Sequence, residues 1–175
     1  TEGISGNTAF RTLIDVGKNS CVKLVQVFLQ PKEQMVLSDI GSRCAHEAGF
    51  ELVQLFLGEG SLYHGIRTDL KGNKSEFICN IGYFGVDKQN IDINLISNHI
   101  GKKTNCEIGV DGALKDVAKK VFRGTIDFKN GSSGSTGAET ENVLLLGDDV
   151  VNKTIPIILC AEEDVEGNHG ASIGS

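Results

Sequence analysis

The chain has no tryptophan, only two tyrosines, two prolines and a single methionine among its 175 residues. The aromatic platforms on which sugar rings usually stack are therefore nearly missing. No apolar run approaches the roughly 18 residues of a membrane span, and no signal peptide opens the chain. No Cys-x-x-Cys pair occurs, which removes the strongest zinc and thioredoxin-type patterns. Basic excess is lacking as well. Lys and Arg total 17 against 23 Asp and Glu, giving a net charge of −6. A nucleic-acid binder needs a basic stripe to meet phosphates, and a chain with a pI near 5.2 does not offer one. Neither nucleic acid nor a membrane is an expected partner.

Glycine is what the chain has in excess, 22 residues of 175, against a usual share of about 7%. No Gly-X-Y period runs through it and 39% of the residues are apolar, so collagen and wholesale disorder are excluded. The length fits one domain with a real core, expected to span 1–175. The start at Thr1 and the stop after Ile173-Gly174-Ser175 read as a piece cut from a longer protein. Five cysteines stand far apart, at 21, 44, 79, 106 and 160. An odd, widely spaced set makes a poor disulfide framework, so a reducing cytoplasm is the expected compartment.

Short alternating runs fill the chain. Ile91-Asp92-Ile93-Asn94-Leu95 is the clearest: every second residue is apolar, so one face of a strand is buried and the other wet. Gly, Asn, Asp and Ser gather between such runs, as in Gly58-Glu59-Gly60, Lys71-Gly72-Asn73 and Asp111-Gly112, and are read as turns. Helical periodicity is scarce. Leu114, Val117, Ala118 and Val121 fit at most two helical turns, and the stretch from Lys32 to Glu47 has room for one. Many short strands with few helices predict a sandwich, a barrel or a β-solenoid, and the pattern alone does not choose among them. Asn130 to Ala138 holds no apolar residue larger than alanine and is expected to be a flexible surface loop.

Candidate chemistry is sparse. His64 and His99 lie in or beside alternating runs, where a lone histidine is usually structural. Cys44 and His46 are two apart, which on a strand puts both on one face as half of a metal site. His169 has a different setting, Asp164-Val165-Glu166-Gly167-Asn168-His169-Gly170-Ala171, whose small residues leave an imidazole accessible. Cys160 precedes it by nine residues, with Glu162, Glu163, Asp164 and Glu166 between, so thiolate, imidazole and carboxylate donors crowd one stretch. An acidic solvated loop with an incidental histidine is the competing reading. A β-helical carbohydrate enzyme using a carboxylate pair such as Asp148-Asp149 is a further alternative, disfavoured by the scarcity of aromatics. A purely structural interaction module is the third.

In the last third, Val121-Phe122-Arg123-Gly124-Thr125-Ile126 is followed by a small-residue stretch and then Glu141-Asn142-Val143-Leu144-Leu145-Leu146. After these come Lys153-Thr154-Ile155-Pro156-Ile157-Ile158-Leu159-Cys160-Ala161-Glu162-Glu163-Asp164-Val165 and His169-Gly170-Ala171-Ser172-Ile173-Gly174. In that order the chain resembles the core domain of the SufB/SufD family of the SUF iron–sulfur cluster assembly complex. The closer likeness is to the SufD branch, whose His-Gly-Ala-Thr-x-Gly sequence is matched by His169 to Gly174 with Ser172 in place of threonine. The SufB branch carries a scaffold cysteine ahead of the Leu-Leu-Leu strand; here Thr140-Glu141-Asn142 stands there, and no cysteine occurs between Cys106 and Cys160.

The resemblance implies an all-β parallel β-helix (β-solenoid) with few or no helices. It implies a non-catalytic scaffold subunit that pairs with a SufB-like subunit and docks a SufC-like ATPase through a C-terminal segment beyond this stretch. His169 would then be an iron or cluster ligand at the SufB interface, with Cys160 as a secondary candidate. The cargo would be a transient iron–sulfur cluster or iron in the complex, with no cofactor stably bound to the isolated chain, which is expected to form a homodimer.

Overall fold

The computed structural model describes residues 5–175. Twelve strands follow one another: β1 (Gly6–Val16), β2 (Cys21–Phe28), β3 (Gln34–Cys44), β4 (Gly49–Phe56), β5 (Leu62–Leu70) and β6 (Glu76–Gly85). Then come β7 (Asn90–His99), β8 (Asn105–Lys115), β9 (Lys119–Phe128), β10 (Ser135–Leu146), β11 (Val151–Cys160) and β12 (Val165–Gly174). The described residues contain no helix.

The alternation seen in the sequence sets the faces. Ile91, Ile93 and Leu95 are at most 1% exposed, while Asp92 and Asn94 between them face outward. One buried face per strand needs a second sheet to cover it. The chain provides this by winding. Odd-numbered strands form one six-stranded sheet, β1-β3-β5-β7-β9-β11, and even-numbered strands form the other, β12-β10-β8-β6-β4-β2. All pairs are parallel, and each coil contributes one strand to each sheet. The chain is therefore a parallel β-solenoid of six coils, as the family resemblance implied, with its core between the sheets. Phe50 and Phe77 stack inside on neighbouring coils with centroids 5.5 Å apart.

Coil length is not constant. In the second sheet Cys21 pairs with Gly49, Gly49 with Glu76, Glu76 with Asn105 and Asn105 with Thr136, so the repeat runs 28, 27, 29 and 31 residues. Two residues before each of these partners the chain turns through a positive φ, at Asn19, Glu47, Lys74, Lys103 and Gly134. The corners stack by hydrogen bonds from coil to coil: the Glu47 amide donates to Asn73 O at 3.0 Å, and the Lys74 amide to Lys102 O at 2.8 Å.

Several local expectations are corrected. Leu114 to Val121 is the end of β8, a turn and the start of β9, and Lys32 to Glu47 contains β3. The helical spacing of Leu114 to Val121 is the accident of a corner joining two strands. The stretch from Asn130 to Ala138 is not a free loop. Ser132 and Ser135 are fully buried, Ser135 Oγ accepts a hydrogen bond from the Thr104 amide at 3.0 Å, and β10 begins at Ser135. Small side chains fit there because a hydroxyl completes the hydrogen bonding of a corner below. Asp111-Gly112 is no turn either; it lies inside β8, where the Tyr83 ring covers Gly112 and a Cβ would come within 2.5 Å of that ring.

Candidate functional site

The last coil is where the candidate residues gather. On β11 the inward row is Asn152, Thr154, Pro156, Ile158 and Cys160, standing over Lys120, Phe122, Gly124, Ile126 and Phe128. On β12 it is Val165, Gly167, His169, Ala171 and Ile173, over Ser135, Gly137, Glu139, Glu141 and Val143. Both strands are terminal in their sheets, and no described residue stacks beyond them. His169 and Cys160 are therefore exposed although they belong to the inward rows.

Cys160 and His169 thus share a side of the coil but not a position along it. Cys160 ends β11 and Val165 begins β12 beside it. His169 lies four residues further on, roughly 13 Å at about 3.3 Å per residue. A single ion held by His169 does not reach Cys160 in this geometry.

The glycines near His169 have more than one use. A Cβ at Gly167 would meet Ile158 at 3.0 Å and Phe128 at 3.2 Å, so this glycine lets the two sheets close together at the end of the core. Gly170 has nothing within 4 Å of an added Cβ.

Beneath His169 the interior is charged, which the sequence reading missed. Lys120 is fully buried beside the Tyr83 and Phe122 rings, with Nζ 5.8 and 5.9 Å from their centroids. Its ammonium donates to Glu141 Oε1, and Thr154 Oγ1 donates to the other oxygen of the same carboxylate. Burial pulls the Lys120 pKa down, against the pull of Glu141. Glu139, 3% exposed, is pushed up to about 7 by burial and then by Glu141. The signal was present as parity: Glu139, Glu141 and Val143 alternate, so an inward Val143 makes both acids inward.

The other candidates resolve into structure. His64 (3% exposed) and His99 (0%) are core residues whose pKa burial lowers to about 4. Gln54 Nε2 donates to His64 Nε2 at 2.9 Å, and His99 Nδ1 meets Thr104 Oγ1 at 2.7 Å. Cys44 is buried at the end of β3 while His46 sits in the following turn, so they do not share a strand face. Burial raises the Cys44 and Cys106 thiols to about 12, far from the thiolate range. A groove of about 480 Å³ on the outer face of the second sheet is lined by Asn80, Glu107, Thr140, Glu166 and Asn168 among others, with no aromatic side chain. No three His, Cys, Asp or Glu side chains converge on a metal position among the described residues. No described helix is long and apolar enough to cross a membrane.

The fold and its end-coil histidine define the chain as a parallel β-solenoid with an accessible inward-row imidazole. It belongs to the family described as "SUF system FeS cluster assembly, SufBD core domain", whose model matches residues 3–175. It is also 31% identical over 90 residues to the iron–sulfur cluster assembly protein SufD of Bacillus subtilis (strain 168). That alignment covers 51% of this chain and 20% of the relative.

Proposed function

We propose that this chain acts as a SufD-like scaffold subunit in iron–sulfur cluster assembly, without enzymatic activity of its own. The observation that carries the reading is His169, exposed on the inward row of a terminal strand, where a second solenoid stacking on the coil would enclose it. In this reading a SufB-like subunit covers the coil, and a SufC-like ATPase docks through a segment outside the stretch described. The cluster is cargo, held between chains and passed on, rather than a resident cofactor. An imidazole in place of one thiolate changes the net charge and potential of such a site, which suits transfer. A cytoplasmic location goes with this role.

Replacing His169 by alanine in the assembled complex is expected to reduce the yield of reconstituted cluster, read by iron and sulfide content. A yield equal to wild type sinks the ligand role.

The same end suggests self-pairing when the partner is missing. Ile173, on the inward row, is 64% exposed, and the outer edges of β11 and β12 carry unpaired backbone groups. Light scattering of the isolated chain is expected to give the mass of a dimer; a monomer at high concentration refutes it.

A further inference from the structure

Among the interior acids, Glu139 is left without a partner. Its neighbour Glu141 takes both Lys120 and Thr154, whereas no hydrogen bond or ion pair reaches the Glu139 carboxyl among the described residues. A buried carboxyl without a partner is costly, and native cores rarely keep one without a use. The surroundings nevertheless make room for it. Gly124 faces it across the core, and a Cβ there would lie 1.7 Å from Glu139 Oε2. The Tyr83 hydroxyl, which feels the Glu141 charge, is buried and unpaired.

What lies above Glu139 is His169. The two are register partners on adjacent parallel strands, roughly 4.8 Å apart, and both belong to the inward row. The inward residues on either side of His169 are Gly167 and Ala171, so no large side chain besides the imidazole stands over the acid pair on that strand.

We propose that Glu139 is a second protein donor to the iron that His169 receives, so that this chain presents an imidazole–carboxylate half-site. The proposal rests on the reading of His169 given above. Iron(II) accepts both nitrogen and carboxylate oxygen donors. Coordination would give the unpaired acid its missing partner. Two donors from one chain leave positions for a partner's side chain or sulfide.

The test uses the full-length protein with its partner subunits under anaerobic conditions and iron(II) alone as the probe. Glu139→Gln keeps the shape of the side chain and removes its charge. It is expected to weaken iron(II) binding roughly ten- to a hundredfold, as His169→Ala does. Glu107→Gln, on the outer face of β8, is expected to bind as wild type does. If His169→Ala loses binding and Glu139→Gln does not, the carboxylate role is overturned and the histidine reading stands. If both bind as wild type, the histidine reading falls with it. Should Glu139→Gln fail to fold by circular dichroism, Glu139→Asp carries the same test, because it keeps the charge and withdraws it by one methylene. Unchanged binding there overturns the proposal.

Discussion

Lys120→Ala is expected to cost the fold about 3–5 kcal/mol, read as a lower urea midpoint with an unchanged slope. The ammonium is fully buried and donates to Glu141, whose second oxygen is held by Thr154 of the last coil. Removing the cation leaves Glu141 inside the core with its charge uncompensated, and Glu139 beside it without the Lys120 charge that draws its pKa down. Breaking one partner of such a pair is far worse than removing both. Lys120→Met combined with Glu141→Leu should therefore recover most of the loss. Because Thr154 belongs to β11, the single variant should also loosen the coil that carries His169. A loss under about 1 kcal/mol, the value of an exposed pair, would show that the cluster is hydrated rather than buried.

Acid should destabilise the molecule well above the ordinary carboxylate range. His64 and His99 titrate near pH 4 when folded and near 6.5 when unfolded. Between those values the unfolded chain binds more protons, so stability falls as pH drops from about 6.5 to 4, by about 3 kcal/mol per histidine. Glu139 works in the opposite direction. Its folded pKa of about 7 lies above its unfolded value of 4.5, so its contribution is fully present below 4.5 and is lost as pH rises through 7. One such acid offsets roughly one histidine, leaving a net loss of about 3 kcal/mol between pH 7 and pH 4. Urea unfolding at pH 7, 5.5 and 4 reads this directly. Glu139→Gln should steepen the decline by removing the offset. A flat profile in the wild type would mean that the two histidines charge freely inside the fold.

Strand positions were largely legible because a half-buried strand writes a period of two. Ile91-Asp92-Ile93-Asn94-Leu95 needed no structure to be placed correctly. The winding was not legible from pattern alone. Successive coils differ in length, and the residues that turn through positive φ at equivalent corners are Asn19, Glu47, Lys74, Lys103 and Gly134, four different side-chain types among five positions. What they share is a backbone hydrogen bond to the next corner, a property of the stack rather than of the local sequence. The Asn130 to Ala138 stretch misled for the same reason: Ser135 looks solvated until the corner beneath it supplies a partner. At the candidate site, His169 stood out by its small neighbours and by the family pattern. Lys120, Glu139 and Glu141 did not, because charged residues are normally assigned to the wet face, and only the register with Val143 shows that these point inward.

The unequal coils have a consequence for how such a chain tolerates change in length. A strand counts in twos, and one residue added inside β10 would turn Glu139 and Glu141 out and bring Thr140 in. A residue added at a corner does no such thing, because the corner restarts the count: coils of 27, 28, 29 and 31 residues all deliver their strands in the same phase. The corners are parity resets. They let odd and even insertions accumulate at the rim of the solenoid while the identity of every inward residue, His169 included, is kept.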